Sequence, residues 1–365
     1  MRILSLFLLV VTPFVTADIA FRIPDPDLIP EGIAYDARTR TFFVSSTFKR
    51  KIVAINQAGE VRDFVPEARD GIFGVLGMRV DDSRRILWAI SSNAGATMPA
   101  RGLDKSCLGC SIVTGYDVDS GKLLRKYELS NTPSVHFLND LVVAPSGDVY
   151  ITDTISGDIY RISREQDRLE RWSTVGDKTF PNGIDISADG RTLFVATGAG
   201  LKRVNIADGT VTTVTGFETD KPPVIDGLYF YKQSLIAIQP FEAERTVVRY
   251  HLDPAGSHVT RTDVIEPNSP QFAQPTTGTI VGDDFYFIAN AQLQIFRAMY
   301  KEGAYDRSAL RDVVVMKSRL APAAPPLAVT SSPARAPAFG CAGRAREGSI
   351  HWEEAQATRP GTNAR

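Results

Sequence analysis

Imidazole and thiol are scarce in this sequence, with four histidines (His136, His251, His258, His351) and three cysteines (Cys107, Cys110, Cys341) in 365 residues. So few soft ligands leave no second pair to complete a zinc site around Cys107-x-x-Cys110, and no thioredoxin-like pattern surrounds it. In an exported chain the plainer reading of that pair is a local disulfide, with free thiols as the alternative. No G-x-S-x-G stretch is present and the histidines fall in no readable triad spacing, so a serine nucleophile has no sequence support. Excess charge is also lacking: 41 basic against 42 acidic side chains, formally −1, give no general attraction to nucleic acid or an anionic membrane. The one long apolar run, Ile3 to Val15, is shorter than the roughly 20 residues that span a bilayer. With Arg2 before it and Thr16-Ala17 after it, the run predicts a cleaved signal peptide over residues 1–17, and a secreted or periplasmic protein that leaves no membrane segment behind.

What the sequence does hold is repetition. PNGIDISADGRTLFVAT from Pro181 is an apolar alternating run, a tight turn and a second apolar run, which reads as strand, hairpin, strand. The same unit recurs as PEGIAYDARTRTFFVSS from Pro30, LNDLVVAPSGDVYITDT from Leu138 and IDGLYFYKQSLIAIQ from Ile225, with weaker copies from Val75 and Thr276. Aligning the copies puts Glu31, Leu76, Asn139, Asn182, Asp226 and Thr277 in one column, at steps of 45, 63, 43, 44 and 51 residues. Those steps match a four-stranded blade, so the pattern predicts an all-β, six-bladed β-propeller over residues 18–320. The strand candidate Asp18–Ile23 is left over to close the ring by pairing with Val313–Met316 in the sixth blade. Residues 321–365, rich in Ala, Pro, Ser and Arg, carry too little apolar surface to offset ordering and read as a disordered tail.

In a propeller the heads of the innermost strands converge on the central channel. Glu31, Asn139, Asn182 and Asp226 would bring two carboxylates and two amide oxygens to one mouth, a hard, all-oxygen set with a formal charge of −2. Such a set suits Ca²⁺ first and Mg²⁺ or Mn²⁺ next, with Zn²⁺ a poorer match. Read singly, Asn-Gly and Asp-Gly are also common hairpin turns, and Asn139-Asp140 could be a local cap. Recurrence in register favours the metal, since Glu31-Gly32 is no turn signature yet falls in the same column. Residues of the covering loops, Asn93, Phe48 and Phe241, are expected to shape the substrate pocket.

The motifs PEGIAYD, FLNDLVV, FPNGIDISADGRTLFV and IDGLYF resemble those of the senescence marker protein, gluconolactonase and luciferin-regenerating enzyme family, with the paraoxonases more distant, over roughly Asp18 to Leu320. The resemblance implies a propeller with a divalent ion at the channel mouth and hydrolysis of a lactone or related ester. It implies Glu31, Asn182 and Asp226 as metal ligands, Asn139 as a ligand or substrate contact, and Asp226 as the general base. Paraoxonases add a second, structural calcium that uses an Asp directly after the Glu; here Gly32 stands there and only Asp140 of that pair is present. His136 resembles their proposed histidine base, and as a lone histidine it also reads as a polar loop contact. Two other classes stay open: a metal-free acid/base propeller like strictosidine synthase, and a noncatalytic, binding propeller. The partner read from all this is a small-molecule lactone or ester, met by a monomer.

Overall fold

The structure, a computed structural model, describes residues 17–218, 223–240, 246–301 and 303–320. All but Ala17 of the expected leader over residues 1–17, and the expected tail over 321–365, lie outside them. Six antiparallel four-stranded sheets form the blades of a six-bladed propeller. Blades one to five each run outward in chain order, from the innermost strands Ile33–Asp36, Gly74–Asp81, Leu138–Val143, Ile184–Ile186 and Leu228–Phe230. The sixth takes Gly278–Val281, Asp284–Ile288 and Val313–Arg319 from the end of the chain and Asp18–Ile23 from its start, paired Ile19 to Met316 and Ile23 to Val313. The leftover N-terminal strand therefore fastens the ring as expected. Among the described residues no helix is long and apolar enough to cross a membrane.

Burial explains the sequence pattern. The middle strands are covered on both faces by neighbouring blades, so Ser234–Gln239 is buried throughout and reads as a nearly continuous apolar run. The outermost strand Leu123–Leu129 is mostly exposed and correspondingly polar. Apolar packing is divided among the blade interfaces. Phe43, Ile52, Met78, Leu87 and Tyr116 fill the space between blades one and two, and Ile33, Val44, Ile288 and Val315 the space between six and one. No blade has a core of its own, which is why the unit must repeat and the ring must close. Each such side chain contributes about 1.5–3 kcal/mol of burial.

Blade six holds one feature the repeat pattern does not announce. Between Ile288 and Val313 the chain makes an excursion containing the helix Leu293–Met299. Leu293, Phe296 and Tyr300 have helical spacing, and Phe296 is fully buried.

Candidate metal centre

The column residues can meet because of their immediate successors in the chain. These are Gly32, Gly77, Asp140, Gly183, Gly227 and Gly278 in blades one to six. A Cβ on Gly32 would stand 2.1 Å from the Leu76 carbonyl oxygen, one on Gly77 2.7 Å from that of Asn139, one on Gly183 2.2 Å from that of Asp226 and one on Gly227 2.9 Å from that of Thr276. Only glycine lets each strand head lie directly on the next. The remaining two joints use hydroxyls. Thr152 Oγ1 donates to the Asn182 carbonyl at 2.8 Å, and Thr276 Oγ1 donates to that of Glu31 at 3.1 Å, joined there by Thr277 Oγ1. The six column residues thus circle one centre, although Glu31 and Thr277 are the two most distant in sequence.

Leu76 and Thr277 are spent on packing and on this joint, which leaves the four oxygen-bearing side chains. Glu31, Asn139 and Asp226 are buried, and Asn182 partly so. Asn139 Nδ2 donates to Thr154 Oγ1 at 3.0 Å, turning its amide oxygen to the other side. Asn182 bonds the Asp226 carboxylate, whereas Glu31 Oε2 is buried with no hydrogen-bond partner. Burial raises the Glu31 carboxyl well above the usual carboxylate range, and Asp226 and Asp140 push it further. Burial likewise lifts Asp226 to about 7, against the pull of the Asn182 bond and with a further push from Asp140. An orphaned carboxylate oxygen beside a second buried carboxylate is the arrangement that a bound cation would relieve, and the donors fit a hard one. Among the described residues no three His, Cys, Asp or Glu side chains are grouped to hold a metal, so this set reaches four donors only through its amides.

Residues 29–280 match the family described as the SMP-30/Gluconolactonase/LRE-like region. The chain belongs to that family. Among solved structures, it is similar to a gluconolactonase from Xanthomonas campestris, at 16% identity over 85% of this chain and 99% of that one, with a TM-score of 0.55. A calcium-binding protein, regucalcin, from Agrobacterium tumefaciens is 17% identical over 82% of this chain and 93% of that one, with a TM-score of 0.54. Virginiamycin B lyase from Staphylococcus aureus is 17% identical over 73% and 80% of the two chains, with a TM-score of 0.52. No curated protein matches. Identities this low establish the fold that these proteins share.

Next to the column lies a network that the sequence does not advertise. Arg79, on the innermost strand of blade two, places Nη2 4.0 Å from Asp140 Oδ2 and its guanidinium 4.7 Å from the centre of the Tyr229 ring. Asp140 and Asp185 are both raised by burial and drawn back by Arg79. Asp140, the residue that the resemblance offered toward a second calcium, therefore faces a resident guanidinium. The network's only sequence signal is an arginine interrupting the apolar run of Val75 to Val80.

His136 is held by a partner that spacing could not reveal. Its Nδ1 lies 2.6 Å from Asp153 Oδ2, while Asp153 Oδ1 accepts from the Phe137 amide at 3.0 Å and the Ile155 amide at 3.1 Å. Nε2 is 3.4 Å from Ser134 Oγ, and the His136 amide donates to the Gly109 carbonyl. These bonds tie the loop before Asn139 to blade three and to the blade-two insertion, where Cys107 and Cys110 form the expected disulfide.

Two of the three expected pocket residues serve the fold. Phe48 is buried against Phe296, Tyr300 and Tyr305 beneath the Arg101 guanidinium, because the blade-six excursion folds over it. Asn93 is buried too, donating to the Asp104 carbonyl and accepting from the Gly95 amide to shape its own insertion. Phe241 lies outside the described residues.

The raised carboxyls predict a pH signature. The native chain without metal binds more protons than the unfolded chain between about pH 4 and 7, because Asp226 titrates near 7 when folded and near 3.8 when unfolded. Stability held below that window is lost as pH rises through it. In chelator, Asp226→Asn is expected to melt at the wild-type temperature near pH 4 and clearly above it near pH 8, measured by calorimetry. Equal melting at both pH values would show that Asp226 is not destabilised by its surroundings.

Proposed function

We propose that this protein is a divalent-cation-dependent hydrolase that opens a lactone or related ester, with calcium the first choice of ion and magnesium, manganese or zinc after it. The observation that carries the reading is the closed ring of column residues that leaves Glu31 Oε2 buried without a partner beside Asp226. Family membership supports it, as does the likeness to a gluconolactonase and a calcium-binding regucalcin.

Glu31, Asn139, Asn182 and Asp226 would hold the ion. When bound, a divalent cation supplies Lewis acidity that polarises a carbonyl and stabilises an oxyanion. Asp226 takes the proton of the attacking water as its carboxylate, the form in which a bound cation would hold it. Asn182 keeps that carboxylate in place through its amide, and Glu31 supplies the second negative charge that makes the site selective for a dication. Asn139, steadied by Thr154, directs its amide oxygen to the ion or the substrate. The small-molecule substrate would meet a monomer that the leader over residues 1–17 sends out of the cytosol.

A lactone panel assayed in chelator and again after calcium is restored tests the reading. Activity should be lost in chelator and return with calcium. Full activity in chelator would place the chain with metal-free acid/base propellers, and calcium binding with no turnover on any lactone or ester would make it a binding module.

A further inference from the structure

Two large apolar side chains stand open beside the oxygen column. Phe180, two residues before Asn182, is 58% exposed, and Ile155 is 47% exposed. One link places them both. Thr154 Oγ1 receives the Asn139 amide and donates to the Pro181 carbonyl at 2.7 Å, so that Ile155, directly after Thr154, and Phe180, directly before Pro181, flank the bond joining blades three and four. Val135, 47% exposed and four residues before Asn139, lies on a loop of the same face. Elsewhere, exposed Val61, Leu124 and Val264 sit on outermost strands, where the blade edge meets solvent and exposure asks for no explanation.

Phe180 is also conformationally costly. Its φ of 50° lies in the left-handed region that a bulky aromatic rarely adopts, at a cost on the order of 1 kcal/mol or more. A ring so exposed recovers little of that through burial. Strain and exposure together, adjacent to a candidate ligand, mark a side chain placed for a ligand.

We propose that Phe180 and Ile155 form an apolar shelf at the channel mouth that receives the hydrocarbon part of the substrate. The favoured substrate is then a lactone or ester bearing an alkyl or aryl substituent, in preference to a polyhydroxylated one. The proposal rests on the column being the reacting site. A polyol would leave hydroxyls facing an aromatic ring and a branched alkyl group that offer no hydrogen bond, whereas an alkyl chain gains contact with every methylene.

The test is a series of γ-lactones with alkyl substituents of increasing length. Wild-type kcat/KM should rise about two- to fourfold per methylene while the chain lies on the shelf. In the double variant Phe180→Asn, Ile155→Ser the rise should flatten, with turnover of the unsubstituted lactone unchanged and a melting temperature no lower than wild type. Asn is chosen because it tolerates positive φ. Phe180→Leu alone should retain most of the rise. A wild type indifferent to chain length, or a double variant with the wild-type slope, overturns the shelf. If no lactone is hydrolysed at all, the hydrolase reading fails, and binding still judges the shelf. Calorimetric Kd values for alkyl-substituted cyclopentanones should then tighten with chain length in the wild type and not in the double variant, and the lack of that difference overturns the proposal.

Discussion

Asp226→Asn should leave the propeller folded, weaken calcium binding, and hold turnover about 10² to 10⁴ below wild type even when calcium is saturating. Asparagine nearly preserves the size of the side chain and one ligand oxygen. What it removes is one of two carboxylate charges and the only proton acceptor assigned to the site. The two losses separate in a calcium titration. If Asp226 served only as a ligand, enough calcium would restore the full rate. If it also takes the proton of the attacking water, a deficit persists, of the size that a positioned base contributes. His136→Gln is the comparison. Its imidazole is bonded to Asp153 on the loop leading to Asn139, so the change should cost little turnover at saturating calcium. A larger loss in His136→Gln than in Asp226→Asn would move the base to the histidine. Unchanged activity of Asp226→Asn in chelator would remove the metal-dependent mechanism altogether.

Gly183→Ala should lower the melting temperature by roughly 5–10 °C and weaken calcium binding, without any change of charge. The new Cβ would stand 2.2 Å from the Asp226 carbonyl oxygen and 2.7 Å from the Leu228 amide nitrogen. Both are backbone atoms at the head of a buried strand, so relief requires blades four and five to part where Asp226 is aimed. Overpacking of this kind costs about 3 kcal/mol, more where no flexible side chain can yield. Gly282→Ala separates packing from conformation: Gly282 has a φ of +64° but nothing within 4 Å of a Cβ. It should cost about 1 kcal/mol and leave calcium affinity unchanged. Equal losses in the two variants would mean that close blade contact is not what positions Asp226.

The features that could be read in advance share one property: they are written locally and repeatedly. Two strands and a hairpin declare themselves within about twenty residues, and six copies in register indicate both the blade number and the column of Glu31, Asn139, Asn182 and Asp226. The N-terminal strand could be assigned to blade six because an unpaired strand in a ring has one vacancy to fill. Phe48 shows where this reasoning stops. Its place in a loop at the mouth was legible, but its burial depends on Phe296, Tyr300 and Tyr305, supplied by an excursion some 250 residues later that breaks the repeat.

By itself, then, the sequence determined the all-β class, the six blades, their closure and the ring of oxygen-bearing side chains, since each comes from a short period of apolar and polar residues and its recurrence. Only the tertiary structure decided the electrostatics within that ring. Arg79 came to face Asp140 across 61 residues, Asp153 came to hold His136, and Glu31 was left with an oxygen that no described residue satisfies. The reason is physical. Local pattern dictates which face of a strand is buried, but the charge and hydrogen-bonding state of a buried side chain depends on groups that other blades bring within a few ångströms, and those pairings leave no period in the chain.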